Sequence, residues 1–275
     1  MLSKLIGYEF KSTRRIFLPA FGVLLLLSLA NSIFIALPEP TLDHVSAPFG
    51  VLMTVYVLAM FAVYVLAFAY MINRFYKNLL GDEGYLMFTL PARPSQLIWA
   101  KCITSTIWMV VTVILCCISL FLLATPALLS ASFEPEIAFS DFWHLIQYIF
   151  SELMREYGAN LFVVPLELIA IGIAGIINFC MHIYACLSLG SLANKHRLGF
   201  AFLAYLGFGV AKEILLFISS WIFDLTGLNL DFNLTLNTAA QMHIALLGWL
   251  LFTIVCIAVN FVITNYILSR HLNLQ

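Results

Sequence analysis

The residue types that usually carry out catalysis or bind metals are present in this chain, but their spacing matches no chemical motif. The six histidines are scattered, without the His-Glu-x-x-His spacing that places two zinc ligands on one helix face. The six cysteines lie in or beside long apolar runs and form no C-x-x-C pair, so we interpret them as small buried hydrophobic residues. A G-x-x-x-x-G-K-[ST] loop that would hold nucleotide phosphates is absent. We therefore predict that the chain is not an enzyme and binds no cofactor or metal itself.

Three charged side chains lie inside long apolar stretches, where ionisable groups are often functional: Glu167, Lys212 and Glu213. Counted at about 1.5 Å per residue from the ends of their stretches, Glu167 and Lys212 lie about 8 and 10 Å below the same membrane boundary. An unpaired charge in hydrocarbon costs about 2.5–3.5 kcal/mol. We therefore predict that Lys212 pairs with Glu167, while Glu213 faces a polar cavity, another helix or a second copy. The alternative is that the Lys212 side chain extends outward to place its ammonium group in water, while the Glu213 carboxylate is solvated near the external loop.

Two further polar side chains, Asn178 and His182, are one helical turn apart and share a face of their predicted helix. They either form hydrogen bonds to another helix or line a polar path. Either role depends on which helices surround the pair.

These polar groups belong to a chain that is otherwise strongly apolar. Of its 275 residues, 63% are hydrophobic and 10% are charged, against about 45–50% and about 25% in soluble domains. So few charges cannot cover a water-exposed surface, and the high hydrophobicity excludes intrinsic disorder. The net charge of −1 offers no basic excess for binding nucleic acid. The composition therefore indicates an integral membrane protein.

Six stretches are long and apolar enough to cross about 30 Å of hydrocarbon as helices. None alternates between apolar and polar residues as the strands of a membrane barrel do. The predicted spans are residues 16–37, 49–72, 102–125, 162–190, 199–222 and 243–268. We predict an all-α integral membrane protein with one transmembrane domain, residues 1–275.

The basic residues predict the orientation of these spans. With a cytosolic N-terminus, eleven of the 13 Lys and Arg residues lie on the cytosolic side, in agreement with the positive-inside rule. We therefore predict a multi-pass protein of the cell membrane with both termini in the cytosol. Residues 1–15 combine an apolar face with basic residues and predict a short amphipathic helix on the cytosolic interface. Within the external segment 126–160, residues 141–157 carry apolar side chains at helical spacing and predict a surface helix.

The cytosolic connection between the second and third spans, residues 73–91, is unusually apolar and aromatic for a loop in water. Within it, Asp82 and Glu83 lie between Gly81 and Gly84, which permit a tight turn at a helix end. A charged tip on an apolar body is typical of two kinds of element. One is an interfacial helix packed on its own spans, and the other is an element that docks a cytosolic partner.

Residues 81–91 (GDEGYLMFTLP), followed by residues 96–101 (QLIWAK), resemble the membrane subunits of bacterial ABC exporters of the type-2 class. The resemblance implies six spans, an amphipathic N-terminal helix and a cytosolic coupling helix between spans two and three. It also implies that this helix docks onto a separate ATPase subunit, which holds ATP and magnesium, and that two permeases, identical or different, form a dimer. The residues it assigns to docking are Gly81, Asp82, Glu83, Gly84, Tyr85, Leu86 and Phe88.

The expected function is therefore that of a permease subunit, which forms an export pathway and is driven through the loop around residues 79–90. Two other classes stay open. One is a non-transporting membrane subunit, such as a sensor or an immunity protein, that binds an ATPase or a kinase. The other is an ion channel or secondary transporter, for which the spans offer few charges.

Overall fold

Helices make up almost the whole of the computed structural model, which describes residues 2–36, 39–81, 84, 93–132, 144, 147–148, 150–152, 154–155, 158–193, 196–225 and 238–270. In this described part of the chain, 96% of the residues are helical and none forms a strand. The predicted all-α class is confirmed.

Six long helices follow one another along the described chain. They are α1 (Leu2–Ile35), α2 (Glu39–Phe75), α3 (Pro94–Ser132), α4 (Asn160–Gly190), α5 (Arg197–Leu225) and α6 (Thr238–Arg270). A π-helical turn, Tyr76–Leu80, continues α2 and ends at Gly81. Each helix contains a stretch long and apolar enough to cross a membrane. This confirms the predicted number of spans and indicates a multi-pass membrane protein.

Helix α1 is continuous, so the predicted interfacial helix at residues 1–15 is not a separate element. One buried stripe runs through the expected boundary, with Glu9 and Thr13 in line with Phe17 and Phe21, because residues three or four positions apart share a helix face. The 34-residue helix is about 51 Å long, which exceeds the roughly 30 Å of a bilayer's hydrocarbon core. The basic residues of its N-terminal turns are exposed, namely Lys4, Lys11, Arg14 and Arg15.

The predicted surface helix at residues 141–157 is described only in part. The residues of this stretch that the structure describes are helical: 144, 147–148, 150–152 and 154–155. The others lie outside the described residues.

The internal contacts divide the chain into two compact units. The first comprises Met1–Leu5, Ile72–Thr106 and Ala159–Gln275, and the second comprises Ile6–Met71 and Ile107–Gly158. Helices α2 and α3 contribute residues to both units, and the single transmembrane domain stays a prediction.

In the second unit, Trp108 of α3 lies in the hydrophobic core. Its ring stacks on the Phe17 ring with centroids 4.6 Å apart, and its indole N–H donates a 2.7 Å hydrogen bond to the Thr13 hydroxyl. Elsewhere in the same unit, the Tyr56 and Ser119 hydroxyls form a 2.7 Å hydrogen bond. These buried polar groups find partners across helices, which apolar surroundings favour.

In the first unit, α4 packs against both α5 and α6. Gly190 lets α4 and α5 meet closely, since a Cβ there would lie 2.6 Å from the Ala201 Cβ and from the Arg197 carbonyl oxygen. His196, just before α5, adopts a left-handed backbone conformation with φ of 60°, which is uncommon for a residue other than glycine. Helix α5 therefore returns antiparallel beside α4.

Candidate functional site

The predicted docking segment begins at the end of the π-helical turn. Leu79 and Leu80 are buried, and the Gly84 N–H donates a 2.8 Å hydrogen bond to the Gly81 carbonyl oxygen. This bond closes a tight turn of the kind expected from the two glycines. The other predicted docking residues lie outside the described residues, namely Asp82, Glu83, Tyr85, Leu86 and Phe88. Their role in docking stays a prediction.

The two helices that flank this segment both contact helix α4 through Tyr184. On the entry side, the Phe75 ring stacks on the Tyr184 ring, with centroids 4.0 Å apart and planes 8° from parallel. On the exit side, the Tyr184 hydroxyl lies 2.8 Å from the Ser105 hydroxyl and donates to the Lys101 carbonyl oxygen at 3.4 Å. Phe75 and Tyr184 are fully buried. The helices on either side of segment 81–93, α2 before it and α3 after it, therefore both contact one tyrosine of α4.

Near the start of α4, Glu167 forms an ion pair with His243 of α6. The Glu167 Oε2 lies 2.8 Å from His243 Nδ1, and His243 Nε2 lies 3.1 Å from Asn160 Oδ1. Both ring nitrogens of His243 therefore lie within hydrogen-bond distance of a side-chain oxygen of α4. The Glu167 and His243 side chains are 17% and 21% exposed. The pair gives the carboxylate a partner inside a membrane-spanning helix and joins α4 to α6.

The predicted pair between Glu167 and Lys212 is not formed, because the two residues lie at different depths. The His182 ring contacts the rings of Tyr205 and Phe208, with centroids 5.2 and 5.7 Å away, which fixes the register of the antiparallel helices α4 and α5. Lys212, about one to two turns further along α5, is therefore opposite about residue 177 of α4, about 15 Å from the level of Glu167. Counting the two depths from opposite boundaries about 30 Å apart misses this offset, because the α4 stretch, residues 162–190, is about 44 Å long.

A group of polar side chains near the middle of α4 forms a second junction, which we call the inner polar cluster: Asn178, His182, Lys212 and Asn260. Asn260 of α6 donates a 3.3 Å hydrogen bond from Nδ2 to Asn178 Oδ1, in agreement with one of the two interpretations of Asn178. His182 packs its ring against aromatic side chains of α5 and also forms a side-chain hydrogen bond with Asn260. Lys212 of α5 is close enough for its charge to act on His182 and on Cys256 of α6. Three helices thus contribute to the cluster.

Lys212 and Glu213 are charges in an apolar helix that have no counter-ion in the part of the chain that the structure describes. Neither forms an ion pair with a described residue, and both side chains are exposed. Successive residues point about 100° apart on a helix. Lys212 therefore continues the α4-facing row of Phe208, while Glu213 shares the outer side of α5 with the exposed Val210 and Phe217. Since such a charge costs about 2.5–3.5 kcal/mol in hydrocarbon, both residues are functional candidates.

Sequence reasoning missed three residues that build these junctions: Tyr184, His243 and Asn260. Each is a polar residue in an apolar helix, and its only signal is that a buried polar group needs a partner. The partner belongs to another helix, so spacing along one helix cannot identify it.

Comparisons with known proteins identify no relative: no protein family, no curated protein and no solved structure matches the chain. The candidate sites therefore rest on the residues and geometry of this chain.

Proposed function

We propose that this chain is the membrane-spanning subunit of an ATP-driven exporter of the type-2 ABC class, with ATP and magnesium bound by a separate cytosolic ATPase. Two permeases, identical or different, would enclose the export pathway. Six apolar helices and the resemblance of residues 81–91 and 96–101 to such permeases support the proposal. The observation that carries it is that the helices on both sides of segment 81–93, α2 and α3, contact α4 at Tyr184.

This double contact is suited to transmitting motion. Leu79 and Leu80 are buried before the segment, and Ile98 is buried after it, so a displacement of either flanking helix would be passed on to α4. Packed contacts transmit displacement because protein interiors have low compressibility. Helix α4 packs on α5 and α6, which would move with it. Closure of two ATPases on ATP would then shift the helices between inward-open and outward-open states.

In this proposal, the protein lies in the cell membrane with both termini and the docking segment in the cytosol. The basis is the distribution of basic residues, because eleven of the 13 Lys and Arg residues then lie on the cytosolic side. Arg93 before α3, Arg197 at the start of α5 and Arg270 at the end of α6 all belong to this side.

Site-specific photo-crosslinking in the native cell tests the partner. A photoreactive amino acid at Tyr85 should crosslink to an ATPase that contains a G-x-x-x-x-G-K-[ST] loop, identified by mass spectrometry. The matched control carries the same amino acid at Phe217, an exposed side chain of α5, and should give no such product. Crosslinks from Tyr85 to lipid alone would contradict docking and favour an interfacial helix.

Coupling is tested with the captured ATPase and the permease in liposomes. Replacing Tyr85, Leu86 and Phe88 by Ala should weaken capture or uncouple hydrolysis, because an aromatic anchor at an interface commonly contributes about 2 kcal/mol or more, or about 30-fold in affinity. Unchanged capture and unchanged stimulation of hydrolysis in the triple variant would contradict the assignment. Capture with no effect of the permease on hydrolysis would favour a sensor or immunity subunit.

A further inference from the structure

The inner polar cluster lies deep within the membrane-spanning helices. Asn178 is about 27 Å along α4, a helix of 31 residues and about 46 Å. Asn260 bonds to it across the helix junction, and the ring contacts of His182 place Lys212 at nearly the same level. A cation and two amides therefore lie at a similar depth within the membrane-spanning helices.

Hydrogen-bond donors outnumber acceptors in this cluster. Lys212 carries three N–H donors and no acceptor. The bond between the asparagines uses the Asn178 oxygen and leaves the N–H groups of Asn178 without a partner among the described residues. No described carboxylate lies within ion-pair distance of Lys212, and Glu213 points away by about 100°. The cluster therefore lacks an acceptor that carries negative charge.

The cluster is also open to the membrane. The Lys212 side chain is exposed, and its neighbour at i+3 on the same face of α5 is the exposed apolar residue Leu215. The rings of Tyr205 and Phe208 border it on the side of His182. A few placed polar groups in apolar surroundings are typical of small-molecule sites.

We propose that the inner polar cluster binds the anionic head group of a membrane-dissolved amphiphile, such as a fatty carboxylate. The acid group would accept charge-assisted hydrogen bonds from Lys212 and Asn178, and its hydrocarbon chain would lie along the exposed apolar side of α5. This binding needs no ATPase. Only the further statement that the amphiphile is cargo rests on the proposed function.

Direct binding to the protein alone provides the first test. The full chain is placed in nanodiscs of zwitterionic phosphatidylcholine, and radiolabelled palmitate is compared with radiolabelled hexadecanol, with empty nanodiscs subtracted. We expect saturable binding of palmitate and at least tenfold weaker binding of hexadecanol. Equal binding of the two probes, or no saturable binding of palmitate, would overturn the proposal and would be the result if Lys212 simply reached the interface.

Three variants, each checked for folding by circular dichroism, locate the site. Lys212→Gln should weaken palmitate binding at least tenfold, Lys212→Arg should stay within about threefold of the wild type because it keeps the cation, and Glu213→Gln is the matched control. Unchanged binding in Lys212→Gln would overturn the proposal. If the wild type bound no palmitate and Glu213→Gln dissociated a dimer, the result would show instead that Lys212 pairs with a second copy of the chain.

Photolabelling keeps the proposal testable if Lys212→Gln does not fold. Palmitate with a diazirine beside its carboxylate should label residues 205–216 and 253–260 of the wild-type chain, in competition with unlabelled palmitate. Labelling confined to other helices would overturn the proposal. No ATPase is present in these binding measurements. A negative result would therefore contradict amphiphile binding, whereas a negative crosslinking result at Tyr85 would contradict docking of the ATPase.

Discussion

Replacing Tyr184 by Phe tests whether its hydroxyl holds α3, the helix that follows the docking segment, against α4. The change keeps the ring and its 4.0 Å stack on Phe75 but removes the 2.8 Å hydrogen bond to Ser105 and the weaker one to the Lys101 carbonyl. Side-chain hydrogen bonds in membrane proteins contribute about 0.6 kcal/mol on average and about 1.7 kcal/mol at most. Because the residue is fully buried, we expect a loss of about 1–1.7 kcal/mol in the free energy of unfolding.

A double-mutant cycle with Ser105→Ala isolates this bond. Both single changes remove the same interaction, so the double variant should cost about as much as the more damaging single one. The free energy of unfolding is measured by titrating mixed micelles with dodecyl sulfate and following circular dichroism. The matched control is Tyr205→Phe, since the Tyr205 hydroxyl forms no hydrogen bond with a described residue. This control should stay within about 0.5 kcal/mol of the wild type.

Additive costs of Tyr184→Phe and Ser105→Ala, within about 0.3 kcal/mol, would refute the hydrogen bond between them. A Tyr184→Phe variant as stable as the Tyr205→Phe control would refute it too. Tyr184→Ala also loses the stack on Phe75 and leaves a cavity, so it should cost about 3–5 kcal/mol. A cost no larger than that of Tyr184→Phe would show that the stacked ring contributes nothing.

Three other predictions concern the first unit and the orientation. His243→Leu should lower the free energy of unfolding by about 1–3 kcal/mol, because it leaves the Glu167 carboxylate without its partner. Adding Glu167→Gln to this variant should recover part of the loss. If dodecyl sulfate titration shows that His243→Leu is as stable as the wild type, the ion pair is contradicted. Gly190→Ala should destabilise by about 1–3 kcal/mol, because its Cβ would meet the neighbouring helix at 2.6 Å. The control Gly207→Ala has nothing within 4 Å and should be neutral or stabilising by up to about 1 kcal/mol, so equal losses in the two variants would rule out close packing at Gly190. A reporter fused after Gln275 should be active only if it works in the cytosol, and activity of a reporter that requires the exterior would reverse the orientation.

Membrane insertion of the helices is the part of the architecture that the sequence by itself determined. Whether a stretch such as residues 49–72 can cross hydrocarbon depends on its length and apolar content, which are local properties that need no partner. All six predicted spans therefore coincide with helices, although the helices are longer at most ends, as α3 shows by beginning at Pro94. The helix boundary expected after residue 15 is absent from α1, which is continuous. Helical periodicity alone does not show whether two apolar faces belong to one helix or to two.

The tight turn at the start of the docking segment could also be predicted from the local sequence. Gly81 and Gly84 permit a tight turn through their own backbone freedom, and the hydrogen bond between them shows such a turn. The contact of the flanking helices with Tyr184 could not be predicted locally, since Tyr184 lies about 100 residues further along the chain.

The partners of the intramembrane polar residues were decided only by the tertiary structure. Glu167 was recognised as a charge that needs a counter-ion, but the sequence offered Lys212 while the fold supplied His243. Which of the two meets Glu167 depends on the axial register of α4 against α5 and α6, and each residue of offset moves a side chain by about 1.5 Å. That register is set by side-chain contacts between helices, such as His182 against Phe208 and Gly190 against Ala201, and no pattern within a single helix records it.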